Sequence, residues 1–118
     1  MVTIYGIKNC TTMKQALAWC EAQGVDYAFH DYKKAGVPRE RLVEWCQHLG
    51  WKTLVNTRGT TWRKLTPEQQ ALSTQSQAVA LMLEYPSLIK RPVVETGEQL
   101  LVGFTPELFA SFVKTAGR

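Results

Sequence analysis

The residues of this chain with the most chemistry to offer are its three cysteines and a few of its arginines. Cys10 falls within YGIKNCTTMKQALAWC (residues 5–20), where a short apolar run stops and a helical pattern begins. A cysteine at the mouth of a helix meets backbone N–H groups that have no intrahelical partner, together with the positive end of the macrodipole. Both favour the thiolate over the thiol, and the thiolate is the nucleophile. Lys8 adds positive charge nearby, and the Thr11 and Thr12 hydroxyls are expected to donate hydrogen bonds to the sulfur. The competing reading of Cys10 is a small buried apolar residue, as most free cysteines are. Its neighbours Asn9, Thr11, Thr12 and Lys14 are polar and weigh against that, but position alone leaves both readings open.

The other two cysteines read differently. Cys20 lies in the apolar stripe of the same helical pattern and Cys46 stands beside Trp45, so both are expected in the core. Ten residues of helix separate Cys10 from Cys20 by roughly 15 Å, too far for a disulfide. No CxxC or CxxH spacing occurs, which argues against zinc, and no metal site is expected. Where a dithiol site would place its second cysteine, three residues after Cys10, stands Met13.

Anion recognition needs donors that fork around oxygen atoms, and guanidinium does this best. Arg58 sits in NTRGTTWRKL, a loop rich in Thr and Gly. Arg91 sits in IKRPVVE, directly before a proline that opens a strand, and Pro92 is the candidate for a cis peptide bond. Either arginine could equally be ordinary surface charge. Arg39, Arg63 and Lys64 read as solvated charge.

These residues must be positioned by the elements around them. VTIYGI (2–7) reads as a buried strand, and Thr11 to about Gln23 as a helix with Met13, Ala16, Leu17 and Cys20 at 3.6-residue spacing. DYAFHDY (26–32) alternates as a second strand. VPRERLVEWCQHLGW is a helix opened by Pro38 and ended by Gly50, with Leu42, Val43, Trp45, Cys46 and Leu49 facing inward. Residues 52–70 read as a loop flanked by short helical turns, and QSQAVALMLEYP (75–86) as a helix closed by Pro86. RPVVET and QLLVGF form a hairpin around Gly97, and TPELFASFVKTA (105–116) a final amphipathic helix. The order is β-α-β, a helical middle, then β-β-α. An opening βαβ unit has parallel strands and a right-handed crossover. The expected class is therefore α/β: a thioredoxin-like four-stranded mixed sheet with a helical insertion at approximately 35–86, in one domain over 1–118.

Composition sets the outer limits. The chain has 118 residues, 45% of them hydrophobic and 20% charged, with a net charge of +4. Its isoelectric point is near 9.1 and its mean hydropathy −0.19. No apolar run approaches the roughly 20 residues that span a bilayer, and the N-terminus lacks the pattern of a signal peptide. A cytoplasmic monomer with no membrane association is expected. The basic residues are scattered rather than clustered, so no nucleic-acid partner is expected.

Taken together and in order, YGIKNC, NTRGTTWRKL and IKRPV resemble the arsenate reductase (ArsC)–Spx family, in its YffB-like branch. The resemblance covers nearly the whole chain and implies a thioredoxin-like fold with an all-helical insertion. It also implies that Cys10 is the catalytic nucleophile, that Arg58 and Arg91 bind the substrate's oxyanion, and that Pro92 takes the place of the fold's cis-proline. Where the glutathione-coupled arsenate reductases carry a histidine shortly before the nucleophile, this chain reads GIKN; where they carry a third arginine, it reads LLVGF. What the resemblance then implies is a monothiol oxidoreductase. Cys10 forms a covalent adduct with a small anionic or disulfide substrate, and an external thiol, glutathione as co-substrate or a glutaredoxin, resolves it. No permanently bound cofactor is expected. The alternatives are an Spx-like regulator that binds RNA polymerase and a thioredoxin-like domain whose cysteine is inert.

Overall fold

The computed structural model describes residues 2–97 and 99–116. The elements in chain order are β1 (Val2–Gly6), α1 (Thr11–Ala22), β2 (Tyr27–Asp31), α2 (Tyr32–Ala35), α3 (Arg39–Leu49), α4 (Trp51–Leu54), α5 (Thr60–Arg63), α6 (Pro67–Gln70), α7 (Gln75–Glu84), a 3₁₀ turn (Pro86–Leu88), β3 (Val93–Thr96), β4 (Gln99–Val102) and α8 (Pro106–Ala116). The chain divides into two compact units, one of residues 1–35 and 91–118, the other of residues 36–90.

The first unit is built on a four-stranded sheet in the order β2-β1-β3-β4. β1 and β2 run parallel, with Val2 opposite Tyr27 and Gly6 opposite Asp31. β3 is antiparallel to β1 and forms a hairpin with β4. A β-α-β half with parallel strands followed by a β-β-α half is the thioredoxin-like α/β architecture, and the hydrophobic pattern explains why it forms. Val2 and Ile4 of β1 and Val94 of β3 share one face. Met13, Ala16 and Cys20 of α1 and Phe109 of α8 bury themselves against it. Trp19 and Phe104 both meet Phe109 edge-on, with ring centroids 5.7 Å and 4.7 Å away. The 3.6-residue stripe of α1 thus meets the two-residue alternation of the strands.

The opposite face carries Tyr5, His30, Val93 and Glu95, as the strand register dictates. Tyr5 Oη donates to Glu95 Oε1 at 2.9 Å, and the Tyr5 and His30 rings stack at a tilt with centroids 5.1 Å apart. Gly6 permits a close approach on the first face. A Cβ there would lie 2.5 Å from Met13 Sδ, so only glycine lets α1 settle this near to β1.

The second unit is helical. Leu42, Trp45 and Cys46 of α3, Leu54 of α4 and Ala78, Val79, Leu81 and Met82 of α7 are buried. Two capping boxes fix its short helices: Thr66 with Gln69 at the start of α6, and Thr74 with Gln77 at the start of α7. Each satisfies two otherwise orphaned backbone donors. The unit takes in residues 87–90, beyond the approximate 35–86 read from the sequence. Val55 and Ile89 form an isolated β-bridge, which ties residues 87–90 back to the segment after α4.

Candidate active site

Cys10 is the N-cap residue of α1. Its backbone is extended (φ −139°, ψ 128°), and its carbonyl accepts the first helical bond from the Lys14 N–H at 2.9 Å. An N-cap serine or aspartate would aim its side-chain oxygen at the second and third helical N–H groups. Here a thiol holds the N-cap position, half-buried and without a side-chain capping hydrogen bond of full geometry. Burial raises the thiol pKa, but the Met13 N–H, a hydrogen bond from the Arg91 side chain, the Arg91 charge and the Thr12 N–H together outweigh it. The net displacement is downward from the ordinary thiol value, so a larger share of thiolate is present at a given pH than for a free cysteine. No acidic residue stands in the first turn of α1 to oppose the anion.

The other two cysteines behave oppositely. Cys20 and Cys46 are buried. Burial pushes both thiols up, with the Glu21 charge adding to the effect at Cys20. They are core residues, as their spacing suggests.

The structure thus brings Cys10, the Thr12 and Met13 amides and Arg91 together. The Arg91–Pro92 peptide is cis. Pro92 is buried, and its carbonyl accepts from the Gly103 N–H at 2.8 Å. Two expectations shift in detail. Of the two threonines Thr12 acts on the sulfur, and through its backbone amide, which with that of Met13 lowers the thiol pKa. Thr11 is exposed. Lys8 is exposed too and is not among the groups that set the Cys10 equilibrium; a lysine in solvent keeps its own shell of water and counterions.

Arg58 lies in the other compact unit, in the loop between α4 and α5, with its side chain exposed. Its N–H donates to Asn56 Oδ1 at 3.1 Å, an Asx turn of the kind NTRG encodes. Arg63, read from sequence as solvated charge, donates from Nη2 to the Arg58 carbonyl at 3.1 Å. The sequence offered no signal for this, because a side chain bonded to a local carbonyl and one in water share the same pattern.

Tyr32 is the other residue that sequence reasoning passed over. It is buried, its ring stands 6.1 Å from His30, and its phenol is pushed far up. Burial is the main cause; the nearby Tyr5 adds to it, the Arg91 charge works against it, and Glu95 raises it further. The Arg91 charge therefore acts on both Cys10 and Tyr32. Among the described residues no three His, Cys, Asp or Glu side chains gather in a way that could hold a metal ion. No described helix is long and apolar enough to cross a membrane.

Comparison with known proteins adds to this geometry. A solved structure of a YffB protein is 49% identical and superposes with a TM-score of 0.90, over 94% of this chain and 97% of the other. An arsenate reductase (ArsC) related protein from Brucella melitensis is 47% identical with a TM-score of 0.76, over 96% and 94% of the two chains. The global transcriptional regulator Spx of Streptococcus pneumoniae is 26% identical over 100% of this chain and 90% of its own. The ArsC family pattern matches residues 5–112. That span takes in Cys10, Arg58 and Arg91 alike, and the chain belongs to the ArsC family.

Proposed function

We propose that this protein is a glutathione-dependent monothiol oxidoreductase with Cys10 as its nucleophile. The observation that carries the reading is the Cys10 sulfur at a helix N-cap, where two backbone amides and Arg91 favour its thiolate. Membership of a family that contains arsenate reductases supports it.

In the proposed cycle the Cys10 thiolate attacks one sulfur of a disulfide substrate. A new S–S bond forms to Cys10, the old one breaks, and the displaced thiolate leaves with its electron pair. Position 13 holds methionine, so no thiol in the first turn of α1 resolves the adduct. An external thiolate, that of glutathione or a glutaredoxin, attacks the Cys10-bound sulfur instead and regenerates the Cys10 thiolate. One round consumes one external thiol and leaves it in a mixed disulfide with the retained half of the substrate. A second external thiolate attacks the external thiol's sulfur in that mixed disulfide and releases this half. Two external thiols thereby become a disulfide, and the substrate gains two electrons. Arg91, hydrogen-bonded to the resting thiolate, remains beside the sulfur to pair with anionic groups of the incoming molecule. Arg58 is assigned an anion-binding role on the family resemblance. A small oxyanion that accepts two electrons would suit the same thiolate. The glutathione requirement fits a cytoplasmic setting, where glutathione keeps thiols reduced.

The deciding experiment incubates the protein with glutathione disulfide at neutral pH and maps adducts by mass spectrometry. One glutathionyl group on Cys10, removed by reduced glutathione, is expected. Modification spread evenly over all three cysteines, or absent from Cys10, would sink the proposal.

A second reading is supported by the likeness to Spx regulators over the whole chain: a regulator that binds RNA polymerase without turnover. Retention of polymerase by a Cys10→Ser variant in a pull-down, with no thiol exchange in the parent protein, would favour it.

A further inference from the structure

Arg58 is held from both sides of its own peptide units. Ahead of it, Asn56 Oδ1 accepts from its N–H at 3.1 Å. Behind it, the Arg63 guanidinium reaches back across α5, with Nη2 donating to the Arg58 carbonyl at 3.1 Å and Nε to the Gly59 carbonyl at 3.4 Å. The Arg63 N–H also donates to the Gly59 carbonyl, at 3.3 Å. Two adjacent carbonyls gripped by one planar fork suits arginine, whose donors sit at fixed spacing; a lysine ammonium is compact, strongly hydrated and not preorganised for such a pair, and holds it less firmly.

The rest of the loop is fitted around this grip. A Cβ on Gly59 would lie 2.9 Å from Asn56 Nδ2, so glycine there leaves Asn56 free to hold Arg58. Asn56 is itself anchored, its N–H donating to the Leu88 carbonyl at 2.7 Å, while the Lys90 N–H donates to the Leu54 carbonyl at 2.8 Å. The main chain at Arg58 is thereby bonded at both its donor and its acceptor, although the residue is exposed. An exposed loop that serves only as a connection has no need of this, since water would satisfy the same groups.

We propose that Arg63 is a positioning residue for anion binding by Arg58: its guanidinium clamps the Arg58 and Gly59 carbonyls and so fixes the backbone from which the Arg58 side chain projects. The proposal rests on the reading of Arg58 as an anion-binding residue. Arg63 acts through Arg58, and its charge is spent on carbonyl oxygens rather than on the ligand.

The test measures binding of S-methylglutathione, which carries the carboxylates of glutathione but no reactive thiol, to the full chain and its variants. Arg58→Ala is expected to weaken binding. Arg63→Ala and Arg63→Lys should each weaken it about two- to tenfold, the scale of one or two lost hydrogen bonds. Adding Arg63→Ala to Arg58→Ala should change nothing further, because the residue being positioned is gone. Gly59→Ala, which displaces Asn56 and leaves Arg63 in place, should also weaken binding, and it serves as the alternative variant should Arg63→Ala lower the yield of folded protein. The Cys10 alkylation rate should be the same in the Arg63 and Gly59 variants as in the parent. Full affinity in Arg63→Lys would show that only its charge matters and would overturn the proposal, as would an undiminished effect of Arg63→Ala in the Arg58→Ala background. If Arg58→Ala weakens binding and Arg63→Ala does not, the clamp is refuted while the role of Arg58 stands. If Arg58→Ala binds normally, the underlying reading of Arg58 falls and the clamp with it.

Discussion

At the scale of single residues, the chemistry of Cys10 depends on which atoms favour its anion. Burial works against the thiolate, so the groups that win must act at short range: the Met13 amide, the Arg91 guanidinium and the Thr12 amide. This ranking leads to opposite outcomes for variants that look alike. Thr11→Ala and Thr12→Ala remove hydroxyls and keep the backbone, and should leave the pH midpoint of iodoacetamide alkylation where it is. Thr12→Pro removes the N–H itself, at a helical position where proline is tolerated, and should move that midpoint upward. Arg91→Ala removes both a hydrogen bond and a charge, so its midpoint should rise further and its alkylation at neutral pH should slow several-fold. Arg91→Lys should fall between. A midpoint unmoved by Arg91→Ala would remove the guanidinium from the account of the thiol.

At the scale of elements, the first turn of α1 explains why no second thiol stands three residues after Cys10. Met13 is fully buried and rests on Gly6 of β1, so the position where a dithiol site has its second sulfur is given to packing. Gly6→Ala would drive a methyl group into the Met13 thioether and should destabilise the fold by about 1–3 kcal/mol, measured by urea denaturation. Met13→Cys should cost a similar amount through the smaller side chain. It should also change the chemistry: the introduced thiol would attack the Cys10–glutathione bond and release glutathione, leaving an internal disulfide. Mass spectrometry should then find the chain two hydrogens lighter where the parent carries a glutathionyl group; a persistent adduct would show that the geometry keeps the two sulfurs apart. Elements of this kind were legible in the sequence to an unequal degree. The α1 stripe, the strands and the final hairpin have strong periodicity and clear Gly or Pro boundaries, and they stand close to where the pattern puts them. The region directly after α4 has weak periodicity, because α5 and α6 are only four residues long, and α6 is set by a side-chain cap, Thr66 with Gln69. T-P-E-Q and T-Q-S-Q carry that signal, but only for a reader looking for a cap rather than a stripe. The Gly6–Met13 contact has no local signature, since it depends on α1 folding back onto β1. At the site, the place of Cys10 at a helix mouth is legible in the sequence while its reactivity is left open by position alone, and the hydrogen bonds from Arg63 to the Arg58 and Gly59 carbonyls depend on a fold that the residue types do not announce.

At the scale of the whole molecule, thiol chemistry and folding are linked through protons. The Cys10 pKa is lowered in the folded chain, so between its folded and unfolded values the unfolded chain holds a proton that the folded chain has released. Stability must then rise with pH through that window. The contribution of Cys10 is complete above the unfolded thiol value, about 8.5, and is lost as pH falls through the lower folded value. Cys20 and Cys46 are raised and act in a different window. Their contribution is fully present below the unfolded thiol value and is lost above it, where the unfolded chain ionises and the folded chain does not. The raised phenol of Tyr32 works in the same sense at still higher pH. A single curve of stability against pH mixes these terms with every carboxylate, and its shape would not identify the nucleophile. The difference between the parent protein and Cys10→Ser would, because the shared groups cancel where they do not touch residue 10. That difference, measured by chemical denaturation in steps from about pH 5 to about pH 9 with a reductant present, should grow in favour of the parent as pH rises and level off near the ordinary thiol range. In an Arg91→Ala background the growth should be smaller, since the guanidinium supplies part of the shift. A difference that is flat across the series would mean that the folded thiol titrates like a free one. A nucleophile populated at neutral pH would then have no basis in this fold, whatever the sequence around Cys10 suggests.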